Sequence, residues 1–377
     1  MPRPPSTSTI RLKNSHPSLI RTQPNTKMAE PKEQKATSPP PCKGTILVTG
    51  ANGGLGRGFI TALSRSPYAK DHHGIYLDRD DAAAQEIGTF IKTKVQPKSN
   101  NHQWETSALD LGSLAKIRAF AATINARVAE GSLEPIRALV LVAGYLDVAP
   151  EASKPRRFTE NGHEAVWGIN YLANFLLVLL LLQSMDKEHG RVVMVSSWSH
   201  NPYDKRNAVT KHLGLPEYKV QYRDTDTLAK GVEYPDEGQK AGLRRFELQR
   251  RLSVDPELSK ISVIAMEPGA MITNIATGGK QSKTFSKVAI TLSKLTSAVA
   301  PNSPLRTPLK SGEHLLRASF DTKELGEHPK ATYLDGGKKR KPGDEVQDEE
   351  KQKRLWGDTL KLVNLQPGET ALQDLTV

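Results

Sequence analysis

The 377-residue chain has one cysteine, Cys42, so no internal disulfide framework is open to it and its composition fits a reducing compartment. Long apolar runs are missing too. The most hydrophobic stretch, Phe175 to Leu182, spans eight residues. That is far short of the ~20 a membrane-crossing helix requires, so it reads as a buried helix and no transmembrane segment is expected. Zinc-finger spacing and interleaved aromatic and basic residues are both absent, which leaves a formal net charge of +12 without support for a nucleic-acid partner. Much of that charge is local: residues 1–41 hold seven Lys/Arg (Arg3, Arg11, Lys13, Arg21, Lys27, Lys32, Lys35) against Glu30 and Glu33. A second basic cluster, Lys338-Lys339-Arg340-Lys341, is short enough to read as a solvated loop.

The first 28 residues contain no acid and are rich in Ser, Thr and Pro. They mildly resemble an organelle transit peptide, but the prolines weaken any amphipathic helix, so residues 1–41 are read as a disordered basic tail. Met28 offers an alternative start. No secretory signal pattern is visible, and a cytoplasmic location is expected.

From Lys43 onward, short β-branched runs alternate with helical spacing. That alternation predicts an α/β fold: a doubly wound, Rossmann-like parallel sheet in three α/β/α layers, forming a single domain over 42–335. The expected strands are Thr45–Thr49, Gly74–Leu77, Thr106–Leu109, Ala138–Val142, Val192–Ser196 and Ser262–Met266. The expected helices are Leu55–Ser66, Asp81–Thr93, Leu114–Ala129 and Gly162–Met185. A helix at Glu313–Ala318 and a strand near Ala331–Leu334 follow, and 336–377 reads as a charged C-terminal extension. Residues 198–238 are polar and rich in Tyr and Asp; leaving from the C-terminal end of a strand, they read as a lid. The amphipathic segment Lys280–Ala300 either covers a pocket or packs on the core.

The stretch Thr49-Gly50-Ala51-Asn52-Gly53-Gly54-Leu55-Gly56 joins the first strand to the first helix. A turn of this kind brings backbone N–H groups and the positive end of a helix dipole to a phosphate. Gly50 allows the tight turn, Gly54 lets a pyrophosphate approach, and Gly56 lets helix and strand lie close, while Asn52 suits a turn by itself. At the end of the second strand, Asp78 can accept hydrogen bonds from an adenosine ribose and would repel a 2′-phosphate.

Further motifs follow in order: Asp110-Leu111, Ala143-Gly144, Asn170 in Ile169-Asn170-Tyr171-Leu172, Val195-Ser196-Ser197, and Pro268-Gly269-Ala270-Met271-Ile272-Thr273. Taken alone, Asp110 is a strand-end carboxylate, Asn170 a polar group inside a helix, and Ser197 either a turn cap or a donor to a carbonyl oxygen. With the glycine turn, the set resembles the short-chain dehydrogenase/reductase family, and specifically its fungal members near the retinol-dehydrogenase-like branch, over about Gly44 to Leu365. The resemblance implies an NAD or NADP cofactor and a small carbonyl or alcohol substrate, with fungal secondary metabolism as a plausible setting. It implies that Gly50, Asn52, Gly54, Leu55 and Gly56 hold the dinucleotide phosphates and that Asp110 and Leu111 hold the adenine. Ala143 and Gly144 would line the cofactor, and Pro268, Gly269 and Thr273 would hold the nicotinamide amide. Ser197 would be the catalytic serine, and Asn170 would kink its helix and anchor a water in a proton relay. Arg79 stands where NADP-using members place a phosphate-binding arginine, yet Gly53 replaces a basic residue common in such relatives. The balance leans to NAD.

One part of the family pattern is absent. None of the nine tyrosines has a lysine four residues on, so the Tyr-x-x-x-Lys pair, in which a lysine charge lowers a phenol's pKa toward neutrality, does not occur. Asp236 to Arg245 resembles the lead-in to that tyrosine, and Glu247 to Leu252 the far end of the same helix. About a dozen residues, roughly three helical turns, are missing between them. Phe246 stands in the tyrosine's place, and Arg250 four residues on carries a fixed charge without acid–base use. The fused segment Gln239–Leu252 still has the length for about 21 Å of helix. In relatives that helix lies along a subunit interface, so homo-oligomerisation is open but the interface is shortened. Leu141 and Val142 replace two asparagines of the family's fourth-strand segment.

Three readings stand from sequence: an oxidoreductase whose proton comes from Tyr203, Tyr222, Tyr234 or water; a non-catalytic dinucleotide-binding member; and an ordinary enzyme that has lost residues at a misplaced splice junction between Phe246 and Glu247.

Overall fold

The computed structural model describes residues 42–96, 102–146, 156–209, 222, 224–231, 246–271, 291, 293, 295–297, 299–300 and 302–376. Residues Cys42–Val377 make one compact unit. Eight strands form one sheet in the order β3-β2-β1-β4-β5-β6-β7-β8. They are β1 (Thr45–Thr49), β2 (His73–Asp78), β3 (Trp104–Ala108), β4 (Ile136–Leu141), β5 (Arg191–Val195), β6 (Ser262–Glu267), β7 (Thr332–Asp335) and β8 (Lys338–Lys339). All neighbours pair in parallel except β7 and β8. The parallel α/β sheet is the one read from the sequence, with strand ends shifted by one or two residues. Parallel strands covered on both faces are apolar on both faces, which is why their β-branched runs are legible.

Alternate residues feed two cores. Leu47, Leu139, Val192 and Val263 face α3 (Leu114–Ala129) and α4 (Ala165–Ser184). Ile46, Val48, Val140 and Ile264 face the opposite layer. That layer holds α1 (Gly54–Ser64), with α2 (Asp81–Phe90) near the β2–β3 edge, and a later helix, α6 (Pro308–Phe320). Between α4 and α6 lies α5 (Phe246–Val254), and α7 (Glu349–Val363) is the last helix among the described residues. By length and composition α4 is long and apolar enough to cross a membrane. Leu176, Leu177, Leu179, Leu181 and Leu182 on it are nevertheless fully buried, so it is a core helix. Its N-terminus is capped by Glu164, whose carboxylate accepts from the N–H groups of Val166 (3.0 Å) and Trp167 (2.8 Å).

Helices α1 and α6 touch through their backbones. A Cβ on Gly58 would lie 2.1 Å from the Pro308 carbonyl oxygen, and one on Gly312 would lie 2.3 Å from the Gly58 carbonyl carbon. Gly58→Ala should therefore destabilise by about 1–3 kcal/mol, although the same change in an open helix stabilises by roughly 0.5–1 kcal/mol. Urea unfolding reads the sign directly: a rise in midpoint would contradict this close packing.

Of residues 198–238, expected as a lid, the described part runs as a 3₁₀ turn (Trp198–His200), a second one (Lys205–Val209) and a short helix (Thr225–Lys230). Most of Lys280–Ala300 lies outside the described residues, while Leu295 and Val299 within it are exposed.

Candidate functional site

The strand order reverses between β1 and β4, and a cleft of about 1240 Å³ opens there at the C-terminal ends of the strands. Its first wall is the glycine turn. Gly50 has φ +66°, and a Cβ on it would lie 2.6 Å from Ala143 Cα, so only glycine fits between the turn and the end of β4. A Cβ on Gly56 would lie 2.4 Å from the Gly50 carbonyl oxygen, which lets α1 start directly under the turn. The first turn of α1 has neither a side-chain cap nor an acidic residue. Its N–H groups and dipole thus face the cleft without a protein anion to satisfy them, the arrangement a pyrophosphate fits.

The turn is fixed from below. Asp78 accepts from Asn52 N–H (2.9 Å) and from Arg79 N–H (2.9 Å). Asn52 Oδ1 accepts from Arg57 (2.6 Å), and Asn52 Nδ2 donates to Glu86 (2.9 Å). Thr49 Oγ1 accepts from Ala143 N–H (3.2 Å) and ties the turn to β4. The Arg79 side chain reaches outward to Asp80 (3.1 Å) and is mostly exposed. Gly54, Leu55, Asp78, Arg79, Asp110, Leu111, Ala143 and Gly144 line the cleft as one continuous surface. Asp110 accepts from Gly112 N–H (2.9 Å) and pairs with Lys116 (3.3 Å). These residues fit an adenine dinucleotide.

Asn170 sits in a π-helical turn, Gly168–Leu172, inside α4. Its amide forms a two-bond clamp on one residue: Oδ1 accepts from Tyr145 N–H (2.7 Å) and Nδ2 donates to the Tyr145 carbonyl (2.8 Å). The Asn170 carbonyl, released by the wider turn, accepts from Asn174 Nδ2 (3.1 Å). The side chain therefore holds the Ala143–Tyr145 loop in place. Ser197 ends the β5 side of the cleft. Its hydroxyl lies 2.8 Å from Ser199 Oγ, and its carbonyl meets His200 Nδ1 at 2.6 Å. Because His200 Nε2 accepts from Gly343 N–H (3.0 Å), the proton is assigned to Nδ1. Pro268 and Gly269 follow β6, the strand paired with β5, and also line the cleft, with Gly269 at φ +83°. Thr273 lies outside the described residues.

Two features were not read from the sequence. Residues 336–377 supply α7, whose Gln352, Leu355 and Trp356 close the cleft opposite Phe175 and Leu248. Trp356 meets the Phe175 ring edge-on (5.0 Å) and lies under the Arg251 guanidinium (4.7 Å). The spacing of Gln352, Leu355, Trp356, Thr359 and Val363 is the helical signal that marks this face among the charges. The second feature is Glu267, at the end of β6, which lines the cleft and is almost wholly buried. Burial first of all pushes its carboxyl up to about 7, against the opposing bond from Gly269 N–H.

Of the expected Gln239–Leu252 helix, 239–245 lie outside the described residues; in α5, Glu247 accepts from Arg251 Nε (2.8 Å) and pairs with Arg250 (2.5 Å), so Arg250 is held in an ion pair. Among the described residues of 198–238, neither tyrosine lines the cleft. Tyr203 is 71 % exposed, the Tyr222 hydroxyl is bonded to Thr225 Oγ1 (3.1 Å), and Tyr234 lies outside the described residues. Tyr171 lines the cleft, but its hydroxyl meets Thr359 Oγ1 (2.9 Å).

A family model described as short chain dehydrogenase matches residues 44–208. The chain is 37% identical over 370 residues to the short-chain dehydrogenase iccH of Talaromyces variabilis, covering 88% of this chain and 98% of that protein. It is 30% identical over 342 residues to human retinol dehydrogenase 13, covering 88% of each. In fold it is similar to a solved, uncharacterized protein from Mycobacterium paratuberculosis, with a TM-score of 0.51 at 22% identity over 86% of this chain and 95% of that one. The family's cofactor is a nicotinamide dinucleotide, in keeping with the geometry of the glycine turn. Likeness that runs the length of two such relatives makes the chain a member of the short-chain dehydrogenase/reductase family, an oxidoreductase by resemblance.

Proposed function

We propose that the chain binds NAD in preference to NADP and moves a hydride between the nicotinamide and a carbonyl or secondary alcohol of a small apolar metabolite. The observation that carries this reading is one continuous cleft: a phosphate-binding turn at one end, and at the other Ser197 beside a wall of Phe175, Leu248, Leu355 and Trp356. A bound reduced nicotinamide supplies the hydride. Ser197 orients the substrate oxygen, the apolar wall excludes water, and Asn170 keeps the Ala143–Tyr145 loop in place by its clamp. An apolar substrate gains from burial against that wall at about 25 cal/mol per Å². We place this chemistry in fungal secondary metabolism; the organism of the Talaromyces variabilis relative bears only on the fungal part of that reading.

The preference for NAD rests on Asp78, a carboxylate placed beside the turn where a 2′-phosphate would meet like charge. Calorimetric titration with both dinucleotides tests it. NAD should bind more tightly, and Asp78→Asn should narrow the gap by roughly tenfold, about 1.4 kcal/mol. Arg79→Ala should leave NAD affinity unchanged. Tighter NADP binding by the unaltered chain, lost in Arg79→Ala, would reverse the assignment.

A second reading, a dinucleotide-binding member without turnover, is favoured by the absent Tyr-x-x-x-Lys pair and by the engaged Tyr171 and Tyr222 hydroxyls. Peptide mapping across Arg245 to Leu252 in protein from the source separates both readings from a misplaced splice junction. An additional segment there would make the native chain an ordinary Tyr-x-x-x-Lys enzyme.

A further inference from the structure

Arg251 is a buried cation behind the apolar end of the cleft. It is 2 % exposed and shares a face of α5 with Glu247, one helical turn back. Three parts of the chain meet on its single guanidinium. Nε donates to Glu247 Oε1 (2.8 Å), and Nη1 donates to the Asp374 carbonyl (3.1 Å) and lies 3.6 Å from the Asp374 carboxylate. The guanidinium carbon stands 4.7 Å from the centre of the Trp356 ring. Glu247 and Trp356 both line the cleft, as do their neighbours Leu248 and Leu355. Asp374 is brought to the arginine by the residues before it: Gln373 N–H donates to Asp255 (3.1 Å), and Leu372 is buried.

Stability gives little reason for a charge in this place. A buried ion pair loses in desolvation much of what its attraction gains, and an apolar side chain of like volume often serves as well. Such a residue could fill the space under Trp356, but it could not also bond Glu247 and the Asp374 carbonyl. A lysine could pair with Glu247, yet it has neither the planar face that stacks nor the fork that bonds two groups at once. Arg118 is the contrast. From α3 it donates to the carbonyls of Val363 (2.6 Å) and Asn364 (3.1 Å) and pairs with Glu369 (2.7 Å). It secures the far end of α7, roughly 10 Å along the helix from Trp356, and none of those three partners lines the cleft.

Resting on the oxidoreductase reading above, we propose that Arg251 is a positioning residue for the substrate wall. By gripping Trp356, Glu247 and the segment after α7 together, it fixes the indole against Phe175 and so sets how tightly the cleft holds an apolar carbonyl compound. The two rings meet edge-on, 5.0 Å apart with 71° between their planes. An indole without the cation behind it can turn from that alignment, and the wall then loses its shape while the phosphate turn, built from other elements, keeps its own.

Calorimetric titration of 2-acetylnaphthalene into the full chain saturated with NAD tests this without requiring turnover. Each variant is titrated where circular dichroism shows it folded. Arg251→Lys should weaken ketone binding about tenfold or more while NAD affinity stays within roughly twofold. Arg251→Gln keeps an amide donor but has no cation to stack; it should behave alike, and it serves if the lysine variant does not fold. Arg118→Lys should leave both affinities within roughly twofold. In a Trp356→Leu chain no ring is left to hold, so adding Arg251→Lys should cost the ketone less than about threefold. Undiminished ketone affinity in the Arg251 variants, or a matching fall in their NAD affinity, would overturn the assignment. So would an equal loss in Arg118→Lys, which would mean that any loosening of α7 suffices, or a full loss on the Trp356→Leu background. If the unaltered chain binds NAD but not the ketone, the role of Arg251 fails and the dinucleotide site stands. Failure to bind NAD at all would instead defeat the reading on which it rests.

Discussion

Gly50→Ala is expected to weaken dinucleotide binding at least a hundredfold and to lower stability by about 2–5 kcal/mol. The position has φ +66°, where a non-glycine residue is strained by about 1–2 kcal/mol, and the new methyl would sit 2.6 Å from Ala143 Cα and 2.7 Å from Ala143 N. Backbone is the obstacle on both counts, so no side-chain rotation relieves it. The turn must move outward, and the bond from Ala143 N–H to Thr49 Oγ1 and the N–H groups at the start of α1 move with it. Calorimetry at a temperature where circular dichroism shows the variant folded separates the two effects. Wild-type affinity in a folded Gly50→Ala protein would mean that the phosphates bind elsewhere.

The second large effect concerns Trp356. Trp356→Ala should cost about 3–5 kcal/mol, since the ring is 3 % exposed and sits between Phe175 and the Arg251 guanidinium. Its loss leaves a cavity and strips a stacking partner from a buried arginine that also bonds Glu247 and the carbonyl and carboxylate of Asp374. Trp356→Phe should lose less than half as much. Urea midpoints measure both, and an unchanged midpoint in Trp356→Ala would show that α7 does not anchor this wall. In an active preparation, the alanine variant should also accept bulkier apolar carbonyls, because Trp356 and Leu355 define the limit of the cleft beside Leu248.

The sheet was readable because its inner strands are buried on both faces, so Thr45–Thr49 or Ser262–Glu267 appears in sequence as an uninterrupted run. The glycine turn was readable because a backbone with φ near +66° at Gly50 admits little but glycine. Less could be read where function depends on what comes together from distant parts of the chain. Asn170 stood out as a motif, but its clamp on Tyr145, 25 residues away, is a tertiary fact. Nothing in its sequence context marks Glu267 as a buried carboxylate; its burial at the end of β6 is a tertiary fact. Charges dominate Glu349–Val363, so its apolar face was outweighed in composition although its spacing was helical. The lesson concerns averages: composition over a window hides a stripe.

The place of α7 in the chain has a consequence for how the protein comes into being. The residues that form the phosphate end of the cleft lie between Thr49 and Gly144, whereas Leu355 and Trp356 of the apolar wall are made long after them. Synthesis proceeds from the N-terminus at roughly 5–20 residues per second. For roughly ten seconds or more, the growing chain therefore carries a finished phosphate turn beside an unsealed apolar trough formed by Phe175, Val178 and Leu179. A nucleotide present during that interval meets its half of the site before the molecule has acquired the half that selects a substrate.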